Sequence, residues 1–309
     1  MALPSKVRIV EVGPRDGLQN EPTPVSTATK LELIRRLAGC GLSTIEATAF
    51  VSPKWVPQMA DAAKVMAGLP TGDAAKAGVA FPVLVPNLKG LEAAMAAGAR
   101  EIAIFGAASD AFSQKNINCS VAESLERFKP VVATAREAGL RVRGYVSCVL
   151  GCPYQGDVAP TAVAEVAHAL FDMGCYEISL GDTIGAGTPG KTRVMVEAVV
   201  KRVPLKKVAG HFHDTYGMAI ANIYAALQLG VTVFDSAVGG LGGCPYAAGA
   251  SGNVATEDLV WLLKGLGIDS GVNLEELVTT ADWITGVLGR QPASRVSVAV
   301  LAKRQANCA

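Results

Sequence analysis

Residues 207–230 read KVAGHFHDTYGMAIANIYAALQLG and contain a complete strand, loop and helix. The first part, VAGHFHD (208–214), is a short apolar run that turns polar at its end and predicts a β-strand. The second part, MAIANIYAALQLG (218–230), is rich in alanine and leucine and ends in glycine, as helices commonly do. A strand followed by a polar loop and a helix is the repeating unit of parallel α/β proteins.

The same unit recurs along the whole chain. Eight strands are predicted: VRIVEV (7–12), TIEATAF (44–50), AFPVLVP (80–86), EIAIFGA (101–107), RVRGYVSCV (141–149), YEISLGD (176–182), VAGHFHD (208–214) and VTVFDSAV (231–238). Eight strands alternating with helices favour a closed (β/α)8 TIM barrel over an open doubly wound sheet. The first strand is followed by GPRDGLQNE (13–21) rather than the G-x-G-x-x-G of a dinucleotide site. We expect one α/β catalytic domain over residues 1–309, with 255–309 as an additional helical segment at the C-terminus.

Composition limits the class of partner. The chain has 309 residues, half of them hydrophobic and 18% charged, with a formal net charge of +1. Without a basic stripe, nucleic acid is not expected as a partner. No apolar run reaches the roughly 20 residues of a membrane span, and no membrane partner is expected. The first strand begins too early to leave room for a signal peptide, and seven irregularly spaced cysteines suit a reducing compartment. These features predict a cytoplasmic protein.

The His-x-His pair in strand seven suggests a metal site. Side chains alternate along a strand, so His211 and His213 lie on the same face, and imidazole is a common metal ligand. In a barrel of this type the carboxyl ends of all strands form one rim, where chemistry takes place. Asp16, after strand one, can therefore meet both imidazoles, and a carbonyl oxygen such as that of Asn253 would complete a mixed nitrogen and oxygen site. That ligand set suits Mg²⁺ or Mn²⁺.

Three further residues have both a structural and a catalytic interpretation. Glu46 interrupts an apolar strand, where an unpaired carboxylate would be costly, so we expect it to pair with Arg15 and to orient it. Asp182 ends strand six and would either cap the next helix or act in catalysis. Cys244 lies in GGLGGCPYAAGASGN (239–253), a glycine-rich stretch that suits either an active-site lid carrying an acid or a packed loop.

Several long motifs make the sequence similar to the 3-hydroxy-3-methylglutaryl-CoA lyase family, from about residue 6 to the low 290s. They are EVGPRDGLQNE (11–21), TAFVSPKWVPQM (48–59), FGAASDAFSQKNINCS (105–120), RGYVSCVLGCPY (143–154), GCYEISLGDTIGAGTP (174–189), HFHDTYG (211–217) and GGLGGCPYAAGASGN (239–253). The sequence departs from the family at Gly289 and Gln291, where its members often carry Asn and Lys near the acyl-CoA.

This resemblance implies a role for each matching residue. The implied cation ligands are Asp16, His211, His213 and Asn253. The implied catalytic residues are Arg15, Glu46, Asp182 and Cys244, and we assign substrate binding to Arg15 and Ser179.

The activity implied is cleavage of 3-hydroxy-3-methylglutaryl-CoA to acetyl-CoA and acetoacetate, as in leucine degradation, with a divalent cation. The general base is left open among Asp16, Asp182 and His211. Arg15 would stabilise the enolate and Cys244 would protonate its carbon. A lyase for a longer-branched 3-hydroxyglutaryl-CoA and a Claisen-type synthase joining an acyl-CoA to a 2-oxo acid are the alternatives. We expect a small-molecule acyl-CoA as substrate and a homodimer as the assembly.

Overall fold

The computed structural model describes residues 3–70, 78–243 and 252–308. All eight predicted strands are present: β1 (Arg8–Glu11), β2 (Thr48–Ala49), β3 (Val83–Leu84), β4 (Glu101–Ala107), β5 (Arg141–Ser147), β6 (Glu177–Asp182), β7 (Val208–Phe212) and β8 (Val233–Ser236). They pair in parallel in the order β1-β8-β7-β6-β5-β4-β3-β2. The circle closes between β1 and residues 44–46, because Glu11 donates its N–H to the carbonyl oxygen of Thr44 and accepts the N–H of Glu46. The predicted (β/α)8 barrel is confirmed.

Helices follow the strands and surround the sheet. They are α1 (Thr27–Gly39), α2 (Ala62–Ala67), α3 (Leu88–Ala96), α4 (Asp110–Ile117), α5 (Val121–Glu137), α6 (Pro160–Met173), α7 (Pro189–Val199), α8 (Ala219–Gln228), α9 (Thr256–Gly265), α10 (Leu274–Val287) and α11 (Arg295–Cys308). Their ends follow local rules, as α5 shows with a capping box between Ser120 and Glu123. Likewise α6 ends at Gly174, whose φ of 111° is readily available only to glycine.

The predicted C-terminal helical segment, 255–309, contains α9, α10 and α11. Helix α9 is the first α-helix after β8 among the described residues and packs beside that strand, since Thr256 contacts Ser236 through their hydroxyl groups at 2.9 Å. It is therefore the eighth helix of the barrel, and the additional helices are α10 and α11. Helix α10 packs on α1, and α11 packs on α9 and α10.

The hydrophobic core lies between the sheet and the helices, as expected from strands that are apolar on both faces. The barrel interior also holds charged groups, among them Arg143 and Asp235, both fully buried. Within the described ranges, no helix has the length and apolar character needed to cross a bilayer.

Candidate metal centre and active site

The rim at the carboxyl ends of the strands begins with a single π-helical turn, Gly13–Gly17, directly after β1. The first residue of the turn is held by the strand before it, because the backbone N–H of Gly13 donates to Oε1 of Glu11 at 2.8 Å. The same Oε1 accepts the N–H of Val238, and Oε2 accepts the hydroxyl of Thr256 at 2.6 Å. This turn, which carries Arg15 and Asp16, is thereby joined to the backbone after β8.

The two histidines lie at the end of β7, which is separated from β1 by β8 alone. His211 is within the strand, and His213 follows its last residue. An antiparallel bridge pairs His213 with Asn253, and the N–H of Val254 donates to the carbonyl oxygen of Phe212 at 3.0 Å. The chain returning toward α9 thus runs beside β7 and brings Asn253 to the histidines.

Asp16, His211 and His213 form a cluster whose ligand atoms lie within 4.8 Å of one another. Oδ2 of Asp16 is 3.8 Å from Nε2 of His213 and 4.0 Å from Nε2 of His211. Asn253 donates its amide to the same Oδ2 at 2.8 Å, while its own Oδ1 is buried without a partner among the described residues. An unpaired buried oxygen costs free energy, which a cation would recover as a fourth ligand contact.

The charge state of the cluster suits a cation. Burial acts to raise the pKa of Asp16, but the charge of Arg15 and the nearby His213 outweigh burial and hold that pKa well below its usual range. The carboxylate is therefore ionised at neutral pH. One carboxylate, two imidazoles and an amide oxygen are a donor set that fits a divalent cation.

Arg15 connects this cluster to the second strand. Its Nε donates to Oε2 of Glu46 at 2.7 Å, and its Nη1 donates to Oδ1 of Asp16 at 2.6 Å. Its guanidinium lies 5.5 Å from the centre of the Tyr145 ring. Burial acts against the charged form of Arg15, but Glu46 and Asp16 raise its pKa, so it stays protonated. Nη2 has no hydrogen-bond partner among the described residues, and it is the donor left for a ligand.

Asp182 ends β6 and is completely buried. Oδ1 accepts the N–H of Ala186 at 3.2 Å, and Oδ2 accepts the N–H of Gly187 at 2.8 Å. A Cβ at position 187 would lie 2.7 Å from Oδ2, so the backbone can approach the carboxylate only because this residue is glycine. Asp182 therefore caps the loop before α7 rather than the helix itself. Burial raises the pKa of Asp182 despite these backbone hydrogen bonds.

Two predicted residues remain, Ser179 and Cys244. Ser179 is deeper in the barrel, where its hydroxyl donates to Oδ2 of Asp235 at 2.7 Å. Cys244 lies outside the described residues. Of the described residues nearest to it in sequence, Gly243 accepts the side-chain amide of Asn20 at its carbonyl oxygen, and Gly252 accepts the N–H of Asp214, the residue after His213.

Sequence reasoning missed two carboxylates near the site, Glu11 and Asp235. Oδ2 of Asp235 lies 3.2 Å from Nδ1 of His211, and Glu11 holds the turn after β1. Both interrupt apolar strands, which is the signal that singled out Glu46.

Comparison with known proteins identifies the family of the chain. The model of the HMGL-like family matches residues 6–284. The chain is 59% identical to a 3-hydroxy-3-isohexenylglutaryl-CoA/hydroxy-methylglutaryl-CoA lyase of Pseudomonas aeruginosa, over 98% of this chain and 100% of the relative. It is 60% identical to the mitochondrial hydroxymethylglutaryl-CoA lyase of Gallus gallus, over 96% of this chain and 99% of the relative.

A crystal structure of hydroxymethylglutaryl-CoA lyase from Pseudomonas aeruginosa superposes with a TM-score of 0.95 at 59% identity, covering 98% of this chain and 100% of that one. Fold, family model and full-length identity thus agree, and the chain belongs to the HMGL-like family.

Proposed function

We propose that this protein is a carbon–carbon lyase that cleaves 3-hydroxy-3-methylglutaryl-CoA to acetyl-CoA and acetoacetate. The observation that carries the proposal is the convergence of Asp16, His211, His213 and Asn253 at the barrel rim, with Arg15 in contact with Asp16. Relatives sharing about three residues in five with this chain carry the name of this activity.

In this reaction the bond between C2 and C3 of the acyl group breaks. The proton leaves the C3 hydroxyl, that oxygen becomes the ketone of acetoacetate, and the electron pair of the broken bond moves to C2 of the acetyl-CoA enolate. The enolate carbon then takes up a proton. The site must therefore accept one proton, stabilise one developing negative charge and return one proton.

Asp16, His211, His213 and Asn253 would hold a divalent cation, Mg²⁺ or Mn²⁺. When bound there, such a cation supplies Lewis acidity to the substrate's hydroxyl and carbonyl oxygens. The proposal is supported by the unpartnered Oδ1 of Asn253 and by the low pKa of Asp16, which keeps that carboxylate charged.

Of the three candidate bases, Asp182 has the best-suited environment. A general base works best when its pKa approaches the working pH. Burial raises the pKa of Asp182, whereas that of Asp16 is held well below its usual range, which makes Asp16 a weak proton acceptor. His211 already has its Nδ1 engaged by Asp235. We therefore assign the base to Asp182.

Arg15 would stabilise the enolate oxygen. Its guanidinium is fixed on two sides by Glu46 and Asp16, so the remaining Nη2 donor has a defined direction. A donor fixed before the reaction, in a site with little water, stabilises developing charge without reorganisation. Glu46 orients Arg15 in this proposal, and Ser179 stays a predicted substrate-binding residue.

Cys244 would return the proton to the enolate carbon. The proposal is supported by its place in the sequence, because Gly242 lies so near Asn253 that a Cβ on it would be 2.9 Å from Nδ2, and Gly252 accepts the N–H of Asp214, the residue after His213. A thiol is acidic enough to protonate an enolate carbon directly.

The name of the Pseudomonas relative raises a second substrate, a 3-hydroxyglutaryl-CoA with a longer branch. The deciding experiment incubates the purified protein and Mn²⁺ with each of the two thioesters and identifies the products by mass spectrometry. We expect acetyl-CoA and acetoacetate from the methyl substrate. Recovery of both thioesters uncleaved, with condensation in a parallel incubation that supplies acetyl-CoA and a 2-oxo acid, would contradict the proposal. Leucine degradation, a cytoplasmic location and a homodimer stay predictions.

A further inference from the structure

A buried ion pair lies directly below His211 in the barrel interior. Asp235 of β8 stands opposite His211 of β7 in the register of the sheet and is 1% exposed. Arg143 of β5 binds it with two hydrogen bonds, from Nη2 to Oδ1 at 2.7 Å and from Nη1 to Oδ2 at 3.1 Å. Ser179 adds a third hydrogen bond to Oδ2. Since all these groups lie on strands, the position of the Asp235 carboxylate is rigidly defined.

The contact between Asp235 and His211 determines which ring nitrogen carries the proton. Oδ2 of Asp235 lies 3.2 Å from Nδ1 of His211. The carboxylate is acceptor-only, because Arg143 holds it in its ionised form, so Nδ1 must be the donor. The lone pair of a neutral His211 is then on Nε2, which is the nitrogen that faces Asp16 at 4.0 Å.

His213 lacks such a contact and so provides an internal comparison. Its Nδ1 is buried and has no hydrogen-bond partner among the described residues. Its Nε2 is 3.8 Å from the same oxygen of Asp16. The two histidines therefore face one site, but among the described residues only His211 has a carboxylate in contact with its Nδ1.

We propose that Asp235 is the positioning residue of His211. It fixes the Nδ1–H tautomer and the ring orientation, so that Nε2 is presented to a cation, and Arg143 in turn fixes Asp235. A carboxylate behind a ligating histidine also raises the basicity of the ligand, and losing one typically costs 10- to 100-fold in metal affinity. This inference rests on the cation site of the proposed function.

The first test uses the unmodified, metal-free protein. The chain has only three histidines, so ¹⁵N-detected NMR at an alkaline pH can resolve each ring. We expect His211 to be entirely in the Nδ1–H tautomer and His213 to differ from it. A His211 ring in the Nε2–H tautomer, or in the mixture that free imidazole shows, would overturn the proposal, whatever the protein catalyses.

The second test compares two variants that each remove one carboxylate from Arg143. Asp235→Asn offers its amide N–H to the ring and so favours the opposite tautomer. Glu177→Gln is the matched control, because Glu177 accepts a hydrogen bond from Nε of Arg143 at 2.8 Å. The side chain of Glu177 bonds to Arg8 and Arg143 rather than to His211, so its replacement leaves the contact behind the His211 ring in place.

We expect Asp235→Asn to raise the Mn²⁺ dissociation constant about 10- to 100-fold by calorimetry, and Glu177→Gln to leave it near the wild-type value. Equal affinities in the two variants would overturn the role of Asp235. If Asp235→Asn does not fold, the tautomer measurement decides. A wild-type protein that binds no Mn²⁺ would instead contradict the proposed cation site.

Discussion

The side-chain amide of Asn253 donates a 2.8 Å hydrogen bond to Oδ2 of Asp16, although 237 positions separate the two residues in the chain. It joins the turn after β1 to the segment after β8 and leaves Oδ1 of Asn253 unpartnered among the described residues. Two of the proposed ligands are thus held together by the protein itself. A site assembled in this way binds a cation without first having to order its ligands.

Replacing His213 by alanine tests the cation site directly. The variant removes one of four proposed ligands without touching the Asp235–His211 contact, so we expect Mn²⁺ affinity and turnover to fall together. Calorimetric titration of the metal-free protein measures the first, and a product assay measures the second. The control is His168→Ala, which removes a histidine on the outer surface of α6 that pairs with Asp172. Full turnover by the wild type after exhaustive chelation would exclude the cation mechanism.

Gly242→Ala tests how closely the chain must approach Asn253. A Cβ at this position would lie 2.9 Å from Nδ2 of Asn253, and the φ of 119° is strained for any other residue. We expect Asn253 to be displaced from Asp16 and Mn²⁺ affinity to fall. Gly265→Ala is the control, because a Cβ there meets open space at the end of α9. Unchanged affinity in Gly242→Ala would mean that this approach does not position the ligand.

Arg15→Lys keeps the positive charge but loses the planar arrangement of donors that binds Glu46 and Asp16 while leaving Nη2 free. We expect kcat to fall by roughly 100-fold or more, with little change in KM, because the lost contact forms in the transition state. Steady-state kinetics measures both quantities. Arg35→Lys, on the exposed face of α1, is the control. An effect confined to KM would show that Arg15 only binds the substrate.

The alternation of short apolar runs with helical segments predicted all eight strands, because each apolar run is continuous in the chain. Strand length was less predictable. The run at 44–50 gives only two residues to β2, Thr48–Ala49, because residues 44 and 45 pair with their neighbours through single bridges rather than a continuous ladder. That pairing depends on the twist of the closed barrel, which no local pattern records.

The proposed ligands could be found from sequence because each lies in a conspicuous polar motif at or after the end of a strand. The carboxylates that support them could not be assigned, since their partners are remote. Asp235 binds Arg143 across 92 positions, and Glu11 binds Thr256 across 245. A charged residue inside an apolar strand indicates a buried partner, but only the fold identifies that partner.

The burial of Glu257 predicts a stability that depends on pH. Burial raises its pKa from 4.5 to about 8, while the N–H of Gly239 and the hydroxyl of Ser297 oppose the rise. Since the folded state binds this proton more tightly than the unfolded state, its contribution to stability is complete below pH 4.5 and is lost as the pH rises through about 8. Burial likewise raises the pKa of Glu11 to about 7.

We therefore expect the free energy of unfolding to fall between about pH 5 and pH 8, by about 1.4 kcal/mol for each unit of pKa difference. Glu257→Gln should flatten this dependence, because the amide does not titrate. Denaturant unfolding at several pH values measures the free energy of unfolding for wild type and variant. Glu92→Gln, on the surface of α3, is the control. Parallel curves for wild type and Glu257→Gln would contradict the assignment.

Cys244→Ser tests the proposed proton donor. Serine keeps the approximate size of the thiol but is a much weaker acid, so substrate and Mn²⁺ should bind nearly normally while kcat falls steeply.

An alkylating reagent should also inactivate the wild type, and a bound substrate analogue should protect the enzyme from that inactivation. Cys175 serves as the reference thiol, since it is buried and burial raises its pKa to about 12, which leaves little reactive thiolate. Because the chain has seven cysteines, the modified residue must be mapped by mass spectrometry. Inactivation that maps to another cysteine, or a kcat near the wild-type value in Cys244→Ser, would assign the proton donor to a different group.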